Sequence, residues 1–148
     1  MAQRNSNDCG AAALQMIFMH FRIAVDYESL SMRLEMNSGG TSMLRIKRAA
    51  ESHGLLCQGW RLAVRDLPDI PMPAILFLKR NHFVVLDACN PGGRFILRDP
   101  ARGRLQLTSR KLETIWGGET LVFTKSVNGP PGNNPWFQTA RSLGRNPS

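Results

Sequence analysis

The chain reads as an α+β domain in which helices come first and an antiparallel sheet follows. Three observations lead there. Apolar residues recur at helical spacing up to Gly54 and switch to short strand-length runs after it. The segments AILFL (Ala74 to Leu78) and FVVL (Phe83 to Leu86) are too short for buried helices, and turn residues bound them. With 43% hydrophobic residues over 148 positions, the chain can build one core without disulfides or a metal.

The first helix is expected over Cys9 to Phe21, with Asp8 as its cap and Leu14, Ile17, Phe18 and Phe21 on the core face. Ala11 to Ala13 permit close packing at its first turn. A second helix is expected from Tyr27 to Met36, capped by Asp26, with Leu30 and Leu34 on one face. Asn37 to Gly40 breaks it. Thr41 or Ser42 then caps a third helix, which turns Met43, Ile46 and Ala50 inward and stops at Gly54.

Strands follow at Leu55 to Arg61, Ala74 to Leu78, His82 to Cys89, Arg94 to Asp99 and Arg104 to Leu107. Leu67 to Pro73 holds three prolines and reads as a connector. Asn81, Pro91-Gly92-Gly93 and Pro100 to Gly103 supply turns. Ser109 is expected to cap a short helix to Trp116, and Glu119 to Lys125 makes the last strand. Residues 1–125 therefore form the domain. Residues 126–148, rich in Pro, Gly and Asn, read as a loose tail.

Three cysteines without paired spacing (Cys9, Cys57, Cys89) point to a reduced, cytoplasmic setting. The polar start lacks the apolar stretch of a signal peptide, and no run approaches the roughly 18 apolar residues of a membrane span. Net charge is +8, from 19 Lys and Arg against 11 Asp and Glu. These charges are scattered, and the chain has one Tyr, which argues against a nucleic-acid platform. His20, His53, His82, Cys57 and Cys89 show no metal-ligand spacing, and no cofactor is expected.

Four residues carry candidate chemistry. Cys9 falls at the first turn of a helix, where unpaired N–H groups and the helix dipole favour a thiolate. Such a cysteine is either a small buried hydrophobe or a nucleophile, and the polar run Gln3 to Asp8 before it argues for exposure. His82 opens the strand HFVVL, as a surface group or as a base. Asp99 closes the strand FILRD before Pro100, as a turn residue or as a partner for a histidine. If Pro91-Gly92-Gly93 joins their strands in a hairpin, Asp99 can hold one ring nitrogen of His82 while the other faces a thiol. Gln3, six residues before Cys9, carries an amide that could donate to an oxyanion.

Taken together, the motifs resemble the C39 family of bacterial leader peptidases, a papain-like group. The matching pieces are Gln3 with Asp8-Cys9-Gly10-Ala11-Ala12, His82-Phe83-Val84-Val85-Leu86, and Asp99-Pro100-Ala101 with Gly103. Gly40-Thr41-Ser42 and Trp116-x-Gly118 add two more, in order, from Gln3 to about Lys125. The resemblance implies a papain-like cysteine peptidase fold with Cys9 as nucleophile, His82 as base, Asp99 as orienter and Gln3 in the oxyanion hole. It implies cutting after a Gly-Gly or Gly-Ala pair, which frees a bacteriocin-like peptide from its leader. The implied partners are a precursor with a double-glycine leader and a membrane ABC exporter. The family commonly has several residues ahead of its glutamine, whereas here Gln3 follows Met1 and Ala2. The chain also has no GxxxxGK[ST] phosphate loop, so an exporter would have to be a separate partner or the remainder of a longer protein. Two rivals are a cargo-binding module without catalysis and another Cys-His-Asp acyl-transfer enzyme. Retention of Cys9, His82 and Asp99 speaks against the first, and the Gln3 to Cys9 spacing with the Asp-Pro-Ala turn against the second.

Overall fold

The computed structural model describes residues 9–34, 43–79 and 82–125. Three helices, α1 (Cys9–His20), α2 (Tyr27–Leu34) and α3 (Met43–Ser52), precede a sheet of β1 (Leu55–Arg61), β2 (Ala74–Leu78), β3 (His82–Cys89), β4 (Arg94–Asp99), β5 (Gly103–Thr108) and β6 (Trp116–Lys125). A fourth helix, α4 (Ser109–Ile115), lies between β5 and β6. All neighbouring strands are antiparallel, in the order β1-β6-β2-β3-β4-β5.

Strand alternation divides the core into two layers. Ile75, Phe83, Val85, Leu121 and Phe123 face α1 to α3 and pack with Leu14, Ile17, Phe18, Leu30, Leu34 and Ile46. Leu76, Val84, Leu86, Leu97 and Val122 face the other way and pack with Leu112 of α4, Trp116 and the Val64–Leu67 region. Sheet β2-β3-β6 is thus apolar on both faces, which is why its sequence reads as continuous hydrophobic runs rather than as alternation. The α1 helix packs chiefly on β3. Its sequence Ala11-Ala12-Ala13 is buried, and these small side chains let the helix approach the strand closely.

The helical caps follow the sequence in part. The Asp26 carboxylate accepts from Ser29 N at 3.0 Å and Ser29 Oγ at 2.8 Å, as expected for the cap of α2. The cap of α4 is Thr108 rather than Ser109: its hydroxyl accepts from Lys111 N at 3.2 Å, and Ser109 is the first helical residue. Both residues are competent caps, and the β5 pairing of Arg94 with Thr108 fixes which of them takes the extended conformation. Trp116 begins β6 instead of ending α4, so that strand is longer than Glu119 to Lys125. Its first residue pairs with Leu78, and its indole donates to Glu119 O at 2.9 Å. The expected connector Leu67 to Pro73 is partly ordered. A 3-10 helix spans Val64–Asp69 with Pro68 inside it, started by the Asp66 carboxylate accepting from Ala63 N at 2.9 Å. The readings on Asp8, Asn37 to Gly40, Thr41, Ser42, Asn81 and 126–148 lie outside the described residues. No helix among the described residues is long and apolar enough to cross a membrane.

Candidate active site

The site forms where the start of α1 meets the ends of β3 and β4. Cys9 is the first residue of α1, His82 the first of β3 and Asp99 the last of β4. β3 and β4 form the hairpin expected through Pro91-Gly92-Gly93, with Val85 opposite Arg98. One step further along that register Asp99 falls opposite Val84, on the face and diagonal of His82, within reach of a side-chain pair.

His82 Nε2 lies 2.9 Å from Asp99 Oδ1. A side-chain hydrogen bond links His82 to Cys9 on its other side. With Nε2 committed to the carboxylate, Nδ1 is the nitrogen left for the sulfur. The imidazole keeps 28% exposure, while the Asp99 side chain is almost closed off at 4%. Burial of a carboxylate demands partners. Asp99 Oδ1 has them: besides His82 it accepts from Ala101 N at 2.8 Å and Arg102 N at 3.3 Å. The His82 pKa is raised above its ordinary 6.5, first by the hydrogen bond to Cys9 and then by hydrogen bonding and charge from Asp99, against the opposing effect of burial.

Cys9 departs from one expectation. It is 4% exposed, not an open thiol, because the first turn of α1 packs into the helix-side core. The polar residues before it gave the wrong signal: the burial of Cys9 is set by Leu14 and Ile17 one and two turns later, which draw the whole face inward. The other thiols sit elsewhere. Cys57 on β1 is buried and its pKa is pushed up to about 12 by desolvation; Cys89 at the end of β3 is pushed up to about 11 for the same reason. Gln3 lies outside the described residues. Among the described residues, no three His, Cys, Asp or Glu side chains are grouped to hold a metal ion.

Two further surface features were not legible in the sequence. An apolar groove runs between α3 and the sheet, lined by Met43, Leu44, Lys47, Gly59 and Leu121, with Leu44 left 52% exposed. On the same side of the sheet lies the β4–β5 face, which none of α1 to α3 covers among the described residues. Arg94 and Arg98 lie there on β4, and Arg104 stands directly opposite Arg98 on β5. Asp87 pairs with Arg98, Oδ1 accepting from Nη2 at 2.9 Å and Oδ2 lying 2.6 Å from Nε.

Residues 1–128 match the Peptidase C39 family. The chain belongs to that family. Among C39 relatives, the probable microcin-H47 secretion/processing ATP-binding protein MchF of Escherichia coli is 33% identical over 119 residues, which is 80% of this chain and 17% of MchF. The probable functional amyloid protease FapD of Pseudomonas aeruginosa is 28% identical over 144 residues, covering 90% of this chain and 62% of FapD. The chain thus spans a small part of the first of these relatives and under two thirds of the second. A crystal structure of a double glycine motif protease from an AMS/PCAT transporter, in complex with the leader peptide, superposes with a TM-score of 0.80 at 27% identity. The match covers 84% of this chain and 89% of that one. The helices-then-sheet architecture is accordingly that of C39 peptidase domains.

Proposed function

We propose that this C39 domain is a cysteine endopeptidase that removes the N-terminal leader of a secreted, bacteriocin-like precursor by cutting after a Gly-Gly or Gly-Ala pair. The observation that carries the reading is the continuous chain from Cys9 through His82 to Asp99. In this reading His82 Nδ1 takes the thiol proton as Sγ attacks the carbonyl carbon of the second glycine. The oxyanion that forms receives the Gln3 amide. His82 then returns the proton to the leaving amine, which frees the mature peptide and leaves the leader as a thioester on Cys9. Water, activated by the same imidazole, hydrolyses that thioester. Asp99 holds the ring orientation and favours the imidazolium between the two proton transfers.

Specificity is assigned to two places. A slot fitted to a bare backbone rejects any Cβ at the first glycine. The leader adds affinity as a helix whose apolar face lies in the Met43, Leu44 and Leu121 groove. The leader peptide bound to the structural relative supports leader recognition as the basis of selection. MchF is named a secretion/processing ATP-binding protein, which supports an ABC exporter as partner and the cytoplasmic face of a membrane as the working location.

The test is kcat/KM on a full double-glycine precursor, on its Gly→Val variants, and on a tetrapeptide around the cut. Rapid cleavage of the precursor, loss with valine at either glycine, and poor cleavage of the tetrapeptide are expected. In the same assay Leu44→Lys should weaken turnover of the full precursor and leave the tetrapeptide unchanged. Precursor that binds and stays intact would identify a cargo-binding module instead. Equal rates for the valine variants would remove the slot.

A further inference from the structure

The hairpin that joins β4 to β5 does more than reverse the chain. Asp99 pairs with Gly103 across it, and Arg102 N donates to Asp99 O at 3.1 Å. Two amides of the same turn, Ala101 N and Arg102 N, also hold Asp99 Oδ1, the oxygen that meets His82 Nε2 at 2.9 Å. The orientation of the carboxylate, and through it the imidazole, therefore depends on the path of four residues. That path closes at Gly103, where φ is +90°, a conformation that residues with a Cβ rarely adopt. A Cβ built on Gly103 would meet nothing within 4 Å. The requirement for glycine there comes from the backbone alone.

We propose that Gly103 is a positioning residue for His82: its left-handed conformation presses the Ala101 and Arg102 amides onto Asp99 Oδ1 and so fixes the carboxylate against the ring. The proposal rests on the peptidase reading above. A side chain at 103 drives φ toward negative values and opens the turn. The amides then leave the carboxylate, and a carboxylate without fixed donors no longer holds one orientation.

The molecule supplies its own control. The β3–β4 turn closes at Gly93 with φ +82°, and a Cβ there also meets nothing within 4 Å. A side-chain oxygen again gathers turn amides, Asn90 Oδ1 accepting from Gly92 N at 3.1 Å and Arg94 N at 3.0 Å. That turn lies at the end of β3 opposite His82. Gly103→Ala and Gly93→Ala thus impose the same kind of strain, and the two turns differ in what they hold.

The experiment compares Gly103→Ala, Gly93→Ala and Gly103→Asn. Asparagine tolerates the left-handed region better than alanine. Both alanine variants are expected to lower Tm by a similar few degrees. Gly103→Ala alone is expected to lower kcat, by on the order of 10-fold or more, with KM near the parent value. Gly103→Asn should recover most of that loss. In a Cys9→Ser background, NMR titration of His82 should find its pKa lower in Gly103→Ala than in the parent. The titratable groups that face the ring among the described residues are Cys9 from α1 and Asp99 from β4, and position 9 is the same in both proteins being compared. Equal kcat losses in the two alanine variants, or a His82 pKa in Gly103→Ala at or above the parent value, would overturn the proposal. If Gly103→Ala does not fold, Gly103→Asn carries the same comparison with a smaller effect. The titration needs no substrate, so it reads the positioning role even if the parent protein cleaves no precursor.

Discussion

At the scale of single residues, Asp99 Oδ1 accepts three hydrogen bonds, from His82 Nε2, Ala101 N and Arg102 N. An amide oxygen can accept the same three. Asp99→Asn should therefore keep the ring in place and lose the negative charge that favours the imidazolium. Its kcat should fall but stay measurable, while Asp99→Ala, which loses geometry as well, should fall further. Steady-state rates of the pair check this, and an asparagine variant as inactive as His82→Ala would contradict it. The same contacts have a consequence for stability. The His82 pKa is raised in the folded protein, first by Cys9 and then by Asp99, so the folded state binds the proton more tightly than the unfolded chain does. That stability is fully present below the unfolded value of about 6.5 and is lost as pH rises through the higher folded value. Urea midpoints across that window should decline with pH in the parent and lose that decline in His82→Gln.

At the scale of elements, the three candidate site residues among the described ones each stand at an element's end: Cys9 starts α1, His82 starts β3, Asp99 ends β4. This explains what could be read in the sequence. Helix α1, β1, β2, β3 and β4 were bounded within a residue, because a switch from helical to strand period and the flanking Gly, Pro and Asn residues mark them. The hairpin through Pro91-Gly92-Gly93 then brought His82 and Asp99 together by arithmetic. Two failures have physical causes. The burial of Cys9 belongs to the packing of a whole helix face, which the local polarity of Gln3 to Asp8 does not report. The 3-10 helix Val64–Asp69 arises from a side chain-to-backbone bond, Asp66 to Ala63 N, which no periodicity reveals. The α4 cap offers a further check. Thr108→Ala removes the acceptor for Lys111 N and should cost about 1 kcal/mol in chemical denaturation, whereas Ser109→Ala should cost less. Equal costs would return the cap to Ser109.

At the scale of the whole molecule, the +8 charge is not evenly functional. Arg61 pairs with Glu119, Lys47 with Glu51 and Arg98 with Asp87. Arg94 and Arg104 lie on the same β4–β5 face, Arg104 near the strand end that holds Asp99 and Arg94 at the other end of β4, and like charges at Arg98 and Arg104 face each other across the pair. An acidic stretch of precursor would be drawn there over a range set by salt. With a precursor of acidic leader, kcat/KM should fall as ionic strength rises while kcat stays level. Arg94→Glu with Arg104→Glu should flatten that dependence. A flat profile in the parent would reduce the basic surface to a role in solubility.

The groove, the charged face and the proposed slot all bear on one proposal, that Cys9 attacks the peptide bond after a glycine pair with His82 as its base. The most direct measurement is the intact mass of a double-glycine precursor over time, incubated with the parent protein and with Cys9→Ala. The account predicts that the parent releases leader and mature peptide split after the second glycine, that quenched samples contain protein heavier by the leader through a thioester on Cys9, and that Cys9→Ala leaves the precursor whole. Cleavage by Cys9→Ala at the parent's rate, or a precursor left intact by the parent, would contradict it.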